Sequence, residues 1–188
     1  KHPYRSSKGE LGKVAPNVIN RDFNASAPNR KWTTDVTQVK IKERKVYLSP
    51  ILDMFNGEIV SYTISDSPSL KMVMGMLDKA FKKRDIHGNL IFHSDQGWQY
   101  QHKQYQKVLE DRNITQSMSR KGNCLDNAMM ENFFGLMKNE LLYLQDWNSV
   151  EQFKDALRKY IQYYNNDRIK LRLNGKSPVQ YRACFSGA

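Results

Sequence analysis

Three acidic residues in this sequence have the types and placement of a divalent-metal centre. Asp35 lies inside a strand-like run, Trp32-Thr33-Thr34-Asp35-Val36, where a half-buried carboxylate is disfavoured unless it is paired or binds a metal. Asp95 follows the short apolar run Asn89–Phe92 and the dipeptide His93-Ser94, which puts it just past the carboxyl end of a central strand, where open α/β sheets hold their ligands. Glu131 comes after thirty-five further intervening residues, near the start of a long helical pattern. Singly, each acid reads as a capping or surface residue; the combination is what points to chemistry. Three carboxylates converging without a cation would repel one another and raise at least one pKa, so the trio makes sense as a site for a hard, oxygen-preferring ion.

The elements that must position these acids can be read from periodicity. Three runs rich in Val, Ile, Thr and Tyr, at WTTDVTQVKI, KVYLSPILDMF and EIVSYTIS, predict an antiparallel meander, with Asn56-Gly57 as a tight hairpin turn. After Pro68 the period becomes helical, with Leu70, Val73, Met74, Leu77 and Phe81 on one stripe. Asn89–Phe92 is apolar without alternation and suits a strand covered on both faces. A helix around Lys103–Arg112 follows, with Tyr105, Val108 and Leu109 inward, and then a fifth strand at Thr115–Met118. Two long helices, about Asp126–Leu144 and Ser149–Asn165, lead into a basic, irregular tail. On the first of these, Asn127, Glu131, Gly135 and Lys138 share one face, while Met130, Phe133, Phe134, Met137 and Leu141 can pack on the core. The order predicts an α/β fold, a mixed five-stranded sheet with helices on both faces. The expected organisation is a basic arm over residues 1–30, a core over 31–166 and a tail over 167–188.

Composition supplies the partner class. Thirty Lys and Arg against nineteen Asp and Glu give a formal charge of +11, which favours a polyanion such as nucleic acid. Arg120, Lys121, Lys138, Arg168, Lys170, Arg172 and Lys176 are candidates for phosphate contacts, and Trp98 and Tyr100 are near enough to Asp95 in sequence to touch a base or sugar. His93 could either position Asp95 or simply pack at the strand end. Cys124 and Cys184 stand in unrelated contexts, and His2, His87, His93 and His102 form no zinc-ligand spacing, so neither a disulfide framework nor a zinc finger is indicated. No apolar run approaches the roughly 20 residues of a membrane span, and no signal peptide is evident, so an intracellular protein without a membrane partner is expected. The chain starts without methionine and is expected to be a piece of a longer protein.

Four motifs in order, WTTD at Trp32–Asp35, HSDQG at His93–Gly97, the segment Ser119–Glu140 and YYNNDRIKLRLNGKSPVQYR at Tyr163–Arg182, resemble the OrfB-type insertion-sequence transposases, which share the retroviral-integrase catalytic core. The likeness runs from about Asn17 to Arg182. It implies a ribonuclease-H-like fold, with Asp35, Asp95 and Glu131 as catalytic ligands of two Mg²⁺ or Mn²⁺ ions. It also implies that Lys138, seven residues after Glu131, contacts DNA, with Asn127 on the same helix face. The implied reaction begins with water cleaving a strand at a transposon end and freeing a 3′-OH. That hydroxyl then attacks another phosphodiester, without ATP or a covalent enzyme intermediate. Partners implied are the terminal inverted repeats, target DNA and further copies of the chain on paired ends, in the bacterial cytoplasm at the nucleoid. This sequence has Lys170 where the family often has His, and the family's upstream helix-turn-helix segment for end recognition is not among these residues, so end-specific binding by them alone is not expected. The rival readings are a nuclease of the same fold that cannot join strands and a catalytically silent DNA-binding domain.

Overall fold

A computed structural model describes residues 12–186; residues 1–11 of the expected arm and 187–188 of the expected tail lie outside the described residues. Six strands form one sheet: β1 (Lys31–Thr34), β2 (Thr37–Ile41), β3 (Arg44–Asp53), β4 (Ile59–Ser65), β5 (Ile91–Ser94) and β6 (Thr115–Met118). β1 and β2 keep the same register against β3, Thr34 opposite Ile51 and Thr37 opposite Leu48. They are therefore one line of strand interrupted at Asp35-Val36, which reconciles six segments with the five strands expected. β1 and β2 pair antiparallel with β3, and β3 with β4, so the meander is present. Beyond β1 the sheet turns parallel, through β5 to β6.

The helices are α1 (Leu70–Lys83), α2 (Trp98–Gln101), α3 (Lys103–Asp111), α4 (Ala128–Glu140), α5 (Val150–Asn166) and α6 (Pro178–Ser186). Ser69 caps α1 and Ser149 caps α5 through their side-chain oxygens, which satisfies otherwise orphaned N–H groups. Alternation along the strands divides the core between the two faces of the sheet. Leu48, Leu52 and Ile59 face Met130, Phe133 and Met137 of α4 and Phe153, Leu157 and Ile161 of α5. Trp32, Ile51, Val60 and Phe92 face Val73, Leu77 and Phe81 of α1 and Tyr105 and Leu109 of α3. Among the described residues no helix is long and apolar enough to cross a membrane.

Two expectations need correction. The hairpin after β3 is not a two-residue Asn-Gly turn: the loop spans residues 54–58, with Gly57 at φ +76° and the Asn56 side chain buried, donating to the Pro178 carbonyl at 2.8 Å. A buried amide with partners outside the turn overrides the local Asn-Gly preference. The tail is not irregular either, since it contains α6. Tyr181 and Phe185, one turn apart on that helix, pack on Phe55 with ring centroids 5.3 and 5.1 Å away, an apolar pairing hidden in a basic composition.

At this loop the carboxylates of Asp53 and Glu58 are completely buried. Arg84 at the end of α1 reaches both, at 2.7 Å from Glu58 and 3.5 Å from Asp53, and Arg182 of α6 adds a contact to Glu58 at 2.8 Å. Burial still pushes Asp53 up to about 6. Removing one partner of a buried charge cluster leaves uncompensated charge in a low-dielectric site. Arg84→Met is expected to lower unfolding free energy by about 3–5 kcal/mol in urea denaturation; a loss below about 1 kcal/mol would show that Arg182 and Lys83, which also pair with Glu58, suffice.

Candidate active site

Parallel pairing sets two of the three acids side by side. Lys31 is opposite Ile91 and Thr33 opposite His93, so extending the same register past both strand ends brings Asp35 abreast of Asp95. Asp35 Oδ1 accepts the Val36 N–H at 2.7 Å, where the first strand line is interrupted. Asp95 Oδ1 accepts the Gly97 N–H at 2.8 Å, a short turn that fixes the carboxylate just past the end of β5. A methyl group on Gly97 would lie 2.9 Å from that same oxygen, so glycine is the residue that fits.

Glu131 arrives from the first turn of α4, and several contacts fix where that helix begins. Asn127 accepts from the Thr33 hydroxyl at 2.5 Å and donates to the Thr34 carbonyl at 3.2 Å, which clamps the helix start onto β1 beside Asp35. His93, buried at the end of β5, contacts the Asp126 carbonyl through Nε2 and the Ser117 hydroxyl through Nδ1, both at 2.8 Å. Because a carbonyl can only accept, Nε2 carries the proton and Ser117 donates to Nδ1. Burial lowers the pKa of His93 and so favours this neutral form. The Asp126 carboxylate accepts from the Arg120 side chain at 2.8 and 2.9 Å, from the Arg120 backbone at 2.9 Å, from Arg21 at 2.9 Å and from Asn17 at 3.3 Å. Arg120 above all holds Asp126 well below the usual carboxylate range. The arm, the loop of residues 119–127 and the helix carrying Glu131 thus meet at one side chain.

These elements enclose an open cleft of about 440 Å³ lined by Asp35, Asp95, Glu131, Gly97, Lys121 and Asn127, among others. Asp35 is pushed up to about 7 by burial first and then by the negative charges of Asp95 and Glu131. The three acids therefore interact electrostatically, and a bare trio is disfavoured at neutral pH. Among the described residues no three acidic, His or Cys side chains already stand in metal-ligating geometry. An all-oxygen donor set with mutual repulsion is nevertheless what a hard divalent ion suits, so these residues fit one chemically.

Two stretches, residues 25–124 and 131–184, match the family described as integrase core domain. The chain is 53% identical over 179 residues to the protein named as transposase InsK for insertion sequence element IS150 of Escherichia coli, covering 95% of this chain and 63% of that one. It is 49% identical to a transposase-like protein of Haemophilus influenzae, over 95% of this chain and 82% of the relative. The chain belongs to the integrase-core family of insertion-sequence transposases. Its fold is also that of the integrase catalytic core domain of HTLV-2, solved with magnesium in a dimeric form, at a TM-score of 0.66 and 21% identity over 84% of this chain and 98% of that one. The ribonuclease-H-like architecture expected from the motifs is the one present.

For this integrase-core chain, the structure sorts the expected DNA-contacting residues by what their side chains already do. Lys121 is exposed on the cleft wall, Lys138 and Trp98 are half-buried, and Arg172 is exposed away from the cleft. Four expectations are corrected. Tyr100 is only 1% exposed, its ring packed on Tyr105, and so cannot stack on a base. The Asn127 amide is committed to β1 rather than turned outward. Arg120 spends its guanidinium on Asp126, and Arg168 forks onto Glu140 at 2.6 and 2.9 Å. Sequence reading missed Asp126, Arg21 and Asn17, since no local pattern joins residues about a hundred positions apart.

Gly97→Ala tests whether the Asp95 turn matters. The added carbon must displace the carboxylate or break its hydrogen bond, and misplacement by about 1 Å can lower rates about 100-fold. Metal-dependent DNA cleavage is expected to fall by that order while the melting temperature changes little; unchanged cleavage would mean that the turn has room to spare.

Proposed function

We propose that this chain is the catalytic core of a transposase that cleaves DNA at the ends of an insertion sequence and joins them to target DNA. The observation that carries the reading is the convergence of Asp35, Asp95 and Glu131 on one cleft of an integrase-core fold. The chain spans 63% of the InsK protein's length, so the reading concerns the chemistry this part would perform within a larger enzyme. Asp35, Asp95 and Glu131 are proposed as the ligands of two Mg²⁺ or Mn²⁺ ions. When bound, such ions polarise a phosphodiester and stabilise charge on the attacking and leaving oxygens.

The chain's own residues define the rest. Asp35 and Asp95 are held at the rigid ends of two paired strands, and Glu131 is held by a helix start fixed at three points, so the donors are preorganised. Lys121 on the cleft wall and Lys138, two turns beyond Glu131, are proposed to meet backbone phosphates. Water first cleaves one strand to leave a 3′-OH; that hydroxyl then attacks a target phosphodiester, releasing a new 3′-OH on the target. Each step makes one P–O bond and breaks one, so no energy cofactor is required. Paired transposon ends, held by two or more copies of the chain at the bacterial nucleoid, are the proposed setting; the dimeric form of the HTLV-2 core supports self-association.

Glu131→Gln tests the assignment. The change keeps shape but removes the charge that a hard cation requires. Cleavage of an end duplex and joining of a pre-cut end should both be lost with Mg²⁺ or Mn²⁺, while melting temperature and DNA binding persist. A folded variant that still joins ends at the wild-type rate overturns the three-carboxylate assignment. Cleavage without joining by the unmodified chain would favour the nuclease reading.

A further inference from the structure

A second groove, of about 610 Å³, lies along the other flank of α4, lined by Asn132 next to Glu131, Phe23 of the arm, Gly57, Tyr164, Lys170 and Arg172. At its floor two cations converge. A methyl group built on Gly57 would stand 2.9 Å from Lys170 Nζ, 3.4 Å from Arg172 Nη2 and 3.6 Å from the Tyr164 hydroxyl. Gly57 sits at φ +76°, so the bare backbone is what leaves this space open. Lys170 donates to the Tyr164 hydroxyl, and this fixes the ammonium in place. Among the described residues no carboxylate pairs with Lys170 or Arg172: the nearby Glu140 is forked by Arg168 at 2.6 and 2.9 Å and accepts from Tyr160 at 2.6 Å.

Two like charges held around one point repel each other, and the nearest carboxylate, Glu140, acts on Lys170 from a distance while its hydrogen bonds go to Arg168 and Tyr160. Burial first, then Arg172 and Arg168, push the Lys170 ammonium down to about 8 against a smaller opposing pull from Glu140. An oxyanion placed between the two cations, in the space that Gly57 leaves open, would relieve their repulsion and would accept from Nζ and Nη2; the Gly57 N–H itself is donated to the Asp53 carbonyl at 2.7 Å. We propose that Lys170, Arg172 and Gly57 form a seat for one backbone phosphate of DNA outside the catalytic cleft, on the path a strand takes past Asn132. The proposal rests on the DNA-transposase reading for the source of the phosphate. It separates Arg172, which points into the seat, from Arg168, whose guanidinium donors are already engaged by Glu140.

The test uses the whole chain, Arg172→Gln, Lys170→Met and an end duplex, with melting temperature as the folding control. Arg172 is exposed, so its variant should stay folded even if the partly buried Lys170 variant does not. The slope of log affinity against log salt should become shallower by about 0.9 when Arg172 is replaced, the loss of one phosphate contact. In parallel, inorganic phosphate should shift the Gly57 amide resonance of the wild type but not of Arg172→Gln. An unchanged salt slope overturns the proposal, and if phosphate still shifts Gly57 the seat holds free phosphate only. A wild type that responds to phosphate at Gly57 yet binds no DNA would defeat the transposase reading, and with it the assignment of this seat to DNA.

Discussion

Holding three carboxylates around one cleft sets like charges against one another, and the rest of the structure is arranged to keep them there. Asp35 carries the mark of this conflict, pushed up to about 7 by burial and by Asp95 and Glu131. Backbone pairing resists it first, because adjacent parallel strands cannot move their ends apart without breaking the β1–β5 ladder. Side-chain contacts resist it next, through Asn127 on β1, His93 on the Asp126 carbonyl and the five hydrogen bonds that converge on the Asp126 carboxylate. A divalent ion bound by the acids would turn this repulsion into attraction, so the same geometry serves as a site with the ion and as strain without it.

The arm belongs to this arrangement. Val18 and Ile19 donate to the Ser117 hydroxyl, which in turn serves His93, and Arg21 and Asn17 reach Asp126. Displacement of residues 17–21 would therefore be felt at the start of the helix carrying Glu131.

Much of this was legible in the sequence where the signal was local. Strand alternation, the Leu70–Phe81 stripe and the apolar Asn89–Phe92 run gave the sheet and the covering helices, and the motifs around Asp35, Asp95 and Glu131 pointed to three acids that line one cleft. Legibility failed where a side chain's partner is distant. Nothing near Asn127 signals that its amide faces Thr33, and nothing near Arg168 signals that Glu140 absorbs its charge; Arg120 and Asp126 are close in sequence, but their pairing follows from the fold of the loop between them rather than from a helical or strand spacing. Tyr100 looked available because proximity in sequence to Asp95 says nothing about which face of a short helix is buried. The helix at Pro178–Ser186 escaped because its apolar residues pack on Phe55, far away along the chain.

The central claim is that carboxylate repulsion in the cleft is relieved by a divalent ion, and the pH dependence of stability tests it most directly. An acid whose pKa is raised in the folded state contributes stability below its ordinary value near 4 and loses it as pH rises through the folded value, here about 7. Unfolding free energy should be measured between pH 4 and 8 for the wild type and Asp35→Asn, with and without Mg²⁺; the raised Asp53 is common to both and cancels. The account predicts that without metal the wild type loses stability relative to Asp35→Asn across this range, and that Mg²⁺ restores the wild type but not the variant. Parallel pH curves with equal responses to Mg²⁺ would contradict it.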